Sequence, residues 1–182
     1  MTPTPHRRPE PPAGLVVAAC PGCGVSAPSA GGAPPVEHHA SAGCYALYCQ
    51  LIARDYAHPE HYRLAHQVVV DAYAAQHSGG TSRREIQTVA LCLMTLCLFV
   101  EDGVPPADGP ALHERMVTQR PDFTWLQPPP MNGLMTVADL LPGTTAEECA
   151  HLALRWGTQV WQAWKPHHAT IHAWNNAVLR PG

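Results

Sequence analysis

From about residue 40 onward the apolar positions recur with a helical period. Cys44, Leu47, Tyr48, Leu51 and Ile52 fall at i, i+3, i+4, i+7 and i+8, the stripe of an amphipathic helix over 40–57. Pro59 suits a first helical position, and a second helix is predicted from there to His77, where Gly79 and Gly80 stop it. Ser82 with Glu85 reads as a capping box opening a third helix to about Asp102; apolar nearly all round, it belongs at the centre of a bundle. Pro105, Pro106, Pro121 and the triple proline 128–130 then make an irregular connection, broken by a short helix near 111–119 and a capped turn at Thr136 and Asp139. Thr144 or Thr145 caps a helix over 146–164, and Pro166 opens a last one reaching Val178. No strand-like alternation of useful length is visible.

Residues 1–35 are rich in Pro, Gly, Ala and Ser and cannot by themselves bury enough apolar area to fold; only Cys20 and Cys23 suggest order there. The predicted class is an all-α helical bundle of four long helices plus short ones, with an N-terminal zinc-knuckle-like segment. Residues 1–17 read as a disordered tail and 18–182 as one helical domain that includes the knuckle.

Composition narrows the function. Charged residues are 14% of the chain and the net charge is −3, which leaves no cationic surface for a nucleic acid or an anionic membrane. The longest apolar run, Thr88 to Val100, is about 13 residues against the roughly 20 that a bilayer requires. No apolar stretch follows Arg7 and Arg8, so a cytoplasmic protein is predicted. What is abundant is metal-ligand chemistry, with 12 His and 7 Cys; the odd cysteine count argues for ligation and buried thiols rather than a disulfide framework.

Cys20-Pro-Gly-Cys23-Gly is the most specific local signal. Two thiolates in this spacing chelate one tetrahedral Zn²⁺, the Pro-Gly and Gly24 permitting the tight turn. They supply half a site. The remainder must come from Cys44, Cys49, His38 or His39, with Cys44 favoured and a His or water completing the shell. On a regular helix Cys44 and Cys49 stand about 140° apart, so both do not serve one metal. A redox pair or a reduced pair in a disordered tail is the alternative.

A second constellation lies further on. His66, Tyr73 and His77 share one helical face, but His66 and His77 are about 16 Å apart along the axis and cannot hold one ion. Asp71 falls among valines and alanines, where a buried carboxylate is paired, metal-bound or functional; a salt bridge to Arg83, Arg84 or Arg155 and a catalytic role are both open. His168 and His172 are four residues apart and, with His77 or Cys92, can form an open three-ligand site that activates a bound water; alternatively they are polar tips in a layer with Trp161, Trp164 and Trp174. Cys92 and Cys97 are by default small core residues.

Taken together, Cys20-Pro-Gly-Cys23-Gly, Cys44, Val70-Asp71-Ala-Tyr73-Ala-Ala-Gln76-His77, the helix 87–98 and Trp161-x-x-Trp164-x-x-x-His168 resemble a bacterial family of small proteins classed as a domain of unknown function, over roughly residues 18–175. The resemblance implies site positions and no reaction; at Cys92 it implies a metal ligand, relatives often carrying His there. Beside a metal sensor or carrier that would use the Cys and His excess, two functions follow as expectations. One is a small-molecule enzyme of non-redox hydrolysis, elimination or cyclisation, with Asp71, Tyr73, His77 and His168 as acid, base or ligands and the Pro-rich 103–135 segment covering the substrate. No dinucleotide fingerprint or nucleophile elbow is visible. The other is a zinc-stabilised interaction module or subunit of an oligomer, presenting the tryptophans after 155 to a partner.

Overall fold

The computed structural model describes residues 16–29, 38–119 and 122–179. The predicted tail over 1–17 lies outside them except for Val16 and Val17, which begin a strand.

The chain is the helical bundle expected, and that strand adds a small hairpin to it. Strands β1 (Val16–Ala19) and β2 (Ser26–Ser29) pair antiparallel, with Ala19 opposite Ser26. The turn between them is closed by the Gly24 amide donating to the Cys20 carbonyl and the Cys20 amide donating to the Val25 carbonyl, both at 2.8 Å. Gly24 sits at φ +80°, a left-handed conformation that suits glycine.

The helices follow the predicted order. Helix α1 (Ala42–Ala57) is capped by Ser41, whose hydroxyl accepts from the Cys44 amide, and ends at extended His58 before a proline. Helix α2 (Pro59–His61) continues through a π-helical segment, Tyr62–His66, into α3 (Gln67–Gln76). The predicted single helix 59–77 is thus one path with a π segment inside it. Helix α4 (Arg83–Val100) has the expected Ser82–Glu85 capping box and buries an unbroken run from Ala90 to Phe99. Helix α5 (Gly109–Thr118) precedes the irregular segment. A 3-10 turn at Val137–Leu140 carries the Thr136–Asp139 box, and α6 (Ala146–Ala163) the Thr145–Glu148 box. Helix α7 (His168–Leu179) closes the bundle.

Helix α4 is central, packing on α3, α5, α6 and α7. Helix α6 presses on it and on α3 through Cys149, Ala153, Trp156, Gly157, Val160 and Trp161, the 3-and-4 spacing of one face. Gly157 lets the helices approach, since a Cβ there would lie 2.9 Å from a Val68 methyl. The hairpin sits outside this bundle, against α1. Among the described residues no helix is long and apolar enough to cross a membrane.

Candidate metal centre

Four donors from three elements converge at the hairpin. Cys20 and Cys23 come from its turn, Cys44 from the first turn of α1, and His77 from the residue that ends α3; all are buried, and their ligand atoms lie within 4.8 Å of one another. Tetrahedral zinc, with Zn–S of about 2.3 Å and Zn–N of about 2.0 Å, places two sulfurs about 3.8 Å apart and a sulfur and nitrogen about 3.5 Å apart. Here Cys23 Sγ is 3.7 Å from Cys44 Sγ, and Cys44 Sγ is 3.3 Å from His77 Nε2.

The surroundings hold these donors in place. A carbonyl only accepts, so the 2.8 Å contact between His77 Nδ1 and the Tyr73 carbonyl places a proton on Nδ1 and makes Nε2 the ring atom aimed at the sulfurs. The Ser41 amide donates to Cys20 Sγ at 3.4 Å, and the Tyr73 hydroxyl lies 3.8 Å from Cys44 Sγ. Tyr73 stacks on Tyr48, with His38 against its edge. The His39 amide donates to the His77 carbonyl, tying the strand entering α1 to the end of α3. Gly22 threads between them: a Cβ would lie 2.6 Å from the His39 carbonyl and 2.7 Å from the His77 ring.

Electrostatically the four behave as one group. Hydrogen bonds from Cys23 and Cys44 hold Cys20 far below the ordinary thiol range, and the same sharing pushes Cys44 up. Burial disfavours a charged His77, yet its bonds to Cys20 and Cys23 outweigh that and raise it to about 9. The donors hold protons against negative sulfur, the arrangement in which a divalent cation displaces protons.

Two site expectations are corrected by these positions. The knuckle is completed by His77, not by Cys49, which is exposed, nor by His38 or His39. His77 is therefore not gathered with Cys92, His168 and His172. His168 stacks on Trp161 at 3.7 Å and donates through Nε2 to the Trp161 carbonyl, while His172 meets Glu101. Cys92 is buried beside Asp71, and burial, then that carboxylate, raise its pKa well above the thiol norm.

Asp71 is fully buried, but its partners are not the arginines considered from sequence. Thr95 donates to its Oδ2 at 2.6 Å, Gln67 to its Oδ1 at 3.0 Å, and His113 Nε2 of α5 lies 3.2 Å from Oδ1. The 103–135 segment thus covers Asp71 through α5. Asp71 and His77, both on the path through α3, face different neighbours, and so do not form one acid/base cluster. His66 lies 3.5 Å from buried Asp55. The tryptophans expected as a partner surface are largely interior: Trp156, Trp161 and Trp164 are fully buried. His113, Thr95 and Glu101 carried no local sequence signal; only the tertiary packing gives them their partners.

The molecule is therefore a helical bundle carrying a buried Cys₃His cluster able to hold a metal ion. Residues 18–165 match the family of unknown function DUF5946, and the chain belongs to it. No curated protein and no solved structure matches it.

Proposed function

We propose that this protein is a zinc-stapled helical module, in which Cys20, Cys23, Cys44 and His77 close a structural Zn²⁺ site that fastens the N-terminal hairpin to α1 and the end of α3. The observation that carries this reading is the set of 3.7 Å and 3.3 Å donor separations, which match tetrahedral S–S and S–N distances within a few tenths of an ångström. Zinc is favoured by the ligands, since three thiolates and one imidazole suit a borderline-soft ion. Four protein donors leave no open position for a substrate, so the metal serves the fold rather than a reaction. The test is zinc content of the untagged chain. Cys20→Ser and His77→Ala should each remove the same single equivalent and lower the melting temperature. Retention of that equivalent in either variant overturns the reading.

A second reading, a small-molecule acid/base enzyme, is favoured by one observation: fully buried Asp71 lies 3.2 Å from His113, whose side chain is 25% exposed. A buried carboxylate that orients a reachable imidazole is the arrangement a general base uses. In this reading Tyr73 and His77 belong to the metal site, and the acid/base role passes to His113. A substrate screen comparing wild type with His113→Gln tests it, the reading requiring turnover that His113→Gln abolishes.

A further inference from the structure

A second group of donors lies where the C-terminal end of α4 meets α7. Glu101 Oε2 is 2.7 Å from His172 Nε2 and 3.8 Å from Cys97 Sγ, and all three ligand atoms lie within 4.8 Å of one another. Around a tetrahedral zinc, an oxygen stands about 3.3 Å from a nitrogen and about 3.5 Å from a sulfur. Moving the exposed Glu101 oxygen about 0.6 Å away from His172 and about 0.3 Å toward Cys97 reconciles the two sets.

Three further observations set this group apart from a surface ion pair. It opens onto a cavity of about 280 Å³ walled by Cys97, Glu101, His172 and Asn175. Asn175 is buried, and its Oδ1 has no hydrogen-bond partner within the protein, although its Nδ2 donates to the Met94 carbonyl. A buried acceptor without a partner is costly, and this one is shielded from solvent although Asn175 lines the cavity. The donors are also positioned from behind. Glu101 Oε1 accepts from the Trp161 indole at 2.9 Å, and His168, stacked on that indole, brings Nδ1 to 3.8 Å from the same oxygen.

We propose that Cys97, Glu101 and His172 form a second, open site for a divalent zinc-type cation, with its free coordination position facing the Asn175 cavity. Three protein donors and an accessible fourth position are the arrangement of catalytic rather than structural zinc, and the mixed thiolate, carboxylate and imidazole set suits Zn²⁺ or Co²⁺ over Ca²⁺ or Mg²⁺. His168 acts here as a positioning residue, through Trp161 and Glu101, not as a ligand.

The experiment is a Co²⁺ titration of the full, metal-stripped chain against a competing chelator, read by absorption, with helicity followed by circular dichroism. Wild type should bind two equivalents, both with thiolate-to-metal charge-transfer bands. Cys97→Ser and His172→Ala should each bind one, with helicity kept, whereas Cys20→Ser should retain the second. Should Cys97→Ser fail to fold, Glu101→Gln and His172→Ala, on the open side of the site, decide alone. Saturation of wild type at one equivalent, or persistence of the second in His172→Ala and Glu101→Gln, overturns the proposal. Loss of only the Cys20-dependent equivalent would count against the structural centre and leave this one standing.

Discussion

His77 Nε2 stands 3.3 Å from the sulfur of Cys44, a residue 33 positions earlier in the chain, and the contact joins the end of α3 to the beginning of α1. It also makes the cysteines of the chain unequal. Cys49 is the exposed one, while Cys20, Cys23, Cys44, Cys92, Cys97 and Cys149 are buried. With metal bound at pH 8, a thiol reagent should titrate one fast thiol, Cys49. A chelator should release three more, Cys20, Cys23 and Cys44. Cys92 and Cys149 should wait for unfolding, because burial raises both above the ordinary thiol pKa and keeps them protonated; Cys97, buried as well, should join them once the metal of its own proposed site is removed. Fast reaction of four thiols before chelation would show that the Cys₃His donors hold no metal.

The hairpin reaches α1 by backbone contact. A Cβ on Gly43 would lie 2.4 Å from the Ala27 carbonyl oxygen, and β2 could not stay where it is. Gly43→Ala should therefore displace the strand that fixes the Cys20 to Cys23 turn relative to Cys44. The expected cost is about 1–3 kcal/mol, in line with overpacking of a close contact. Zinc affinity should fall together with the melting temperature, since binding and folding share the same geometry. A variant with unchanged affinity would mean that the hairpin docks independently of α1.

How much of this was readable in advance depended on which interactions are local. Ser82 with Glu85, and Thr145 with Glu148, announce their helices because a capping box is complete within four residues. The hairpin gave no such cue: each strand has four residues, and its fixed points are sulfurs whose partners lie on α1 and α3. The helical face that His77 shares with His66 is legible in the sequence. Helix α3 keeps that face regular from Gln67 to Gln76; what the spacing does not give is the partners of His77, which lie on the hairpin turn and on α1. The spacing of His168 and His172 is visible in the sequence, yet Glu101 and Cys97 meet His172 only because α7 folds back on the end of α4.

Alkaline stability should report the Cys92 environment. Its folded pKa is raised by burial, then by Asp71. A raised pKa means the folded state holds the proton more tightly than the unfolded chain. The sign follows: the contribution is fully present below the unfolded thiol pKa of about 8.5, and is lost as pH rises above it, by up to about 1.4 kcal/mol per pH unit for one group. Cys92→Ala removes this slope. Urea midpoints of wild type and Cys92→Ala at pH 8 and pH 10 should converge as pH rises; parallel lines would mean the thiol titrates normally.

The Thr95 hydroxyl has one proton and several acceptors in reach. Asp71 Oδ2 at 2.6 Å is the shortest and the charged one, so it takes the proton ahead of the Leu91 and Cys92 carbonyls at 3.0 and 3.1 Å. The Thr95 oxygen is then left to accept from His113 Nε2 at 3.1 Å, whose N–H also points toward Asp71 Oδ1. One hydroxyl therefore couples α3, α4 and α5. Thr95→Val keeps the volume and removes the proton, leaving a buried carboxylate oxygen short of a donor; about 1–3 kcal/mol of stability should be lost. Thr95→Ser keeps the proton and should lose less than Thr95→Val, only the missing methyl counting against it. Asp71→Ala, which strands both Thr95 and His113, should cost more than either. Denaturant unfolding of the three variants ranks them; Thr95→Val as stable as Thr95→Ser would show that packing, not the hydrogen bond to Asp71, holds α5 on the bundle.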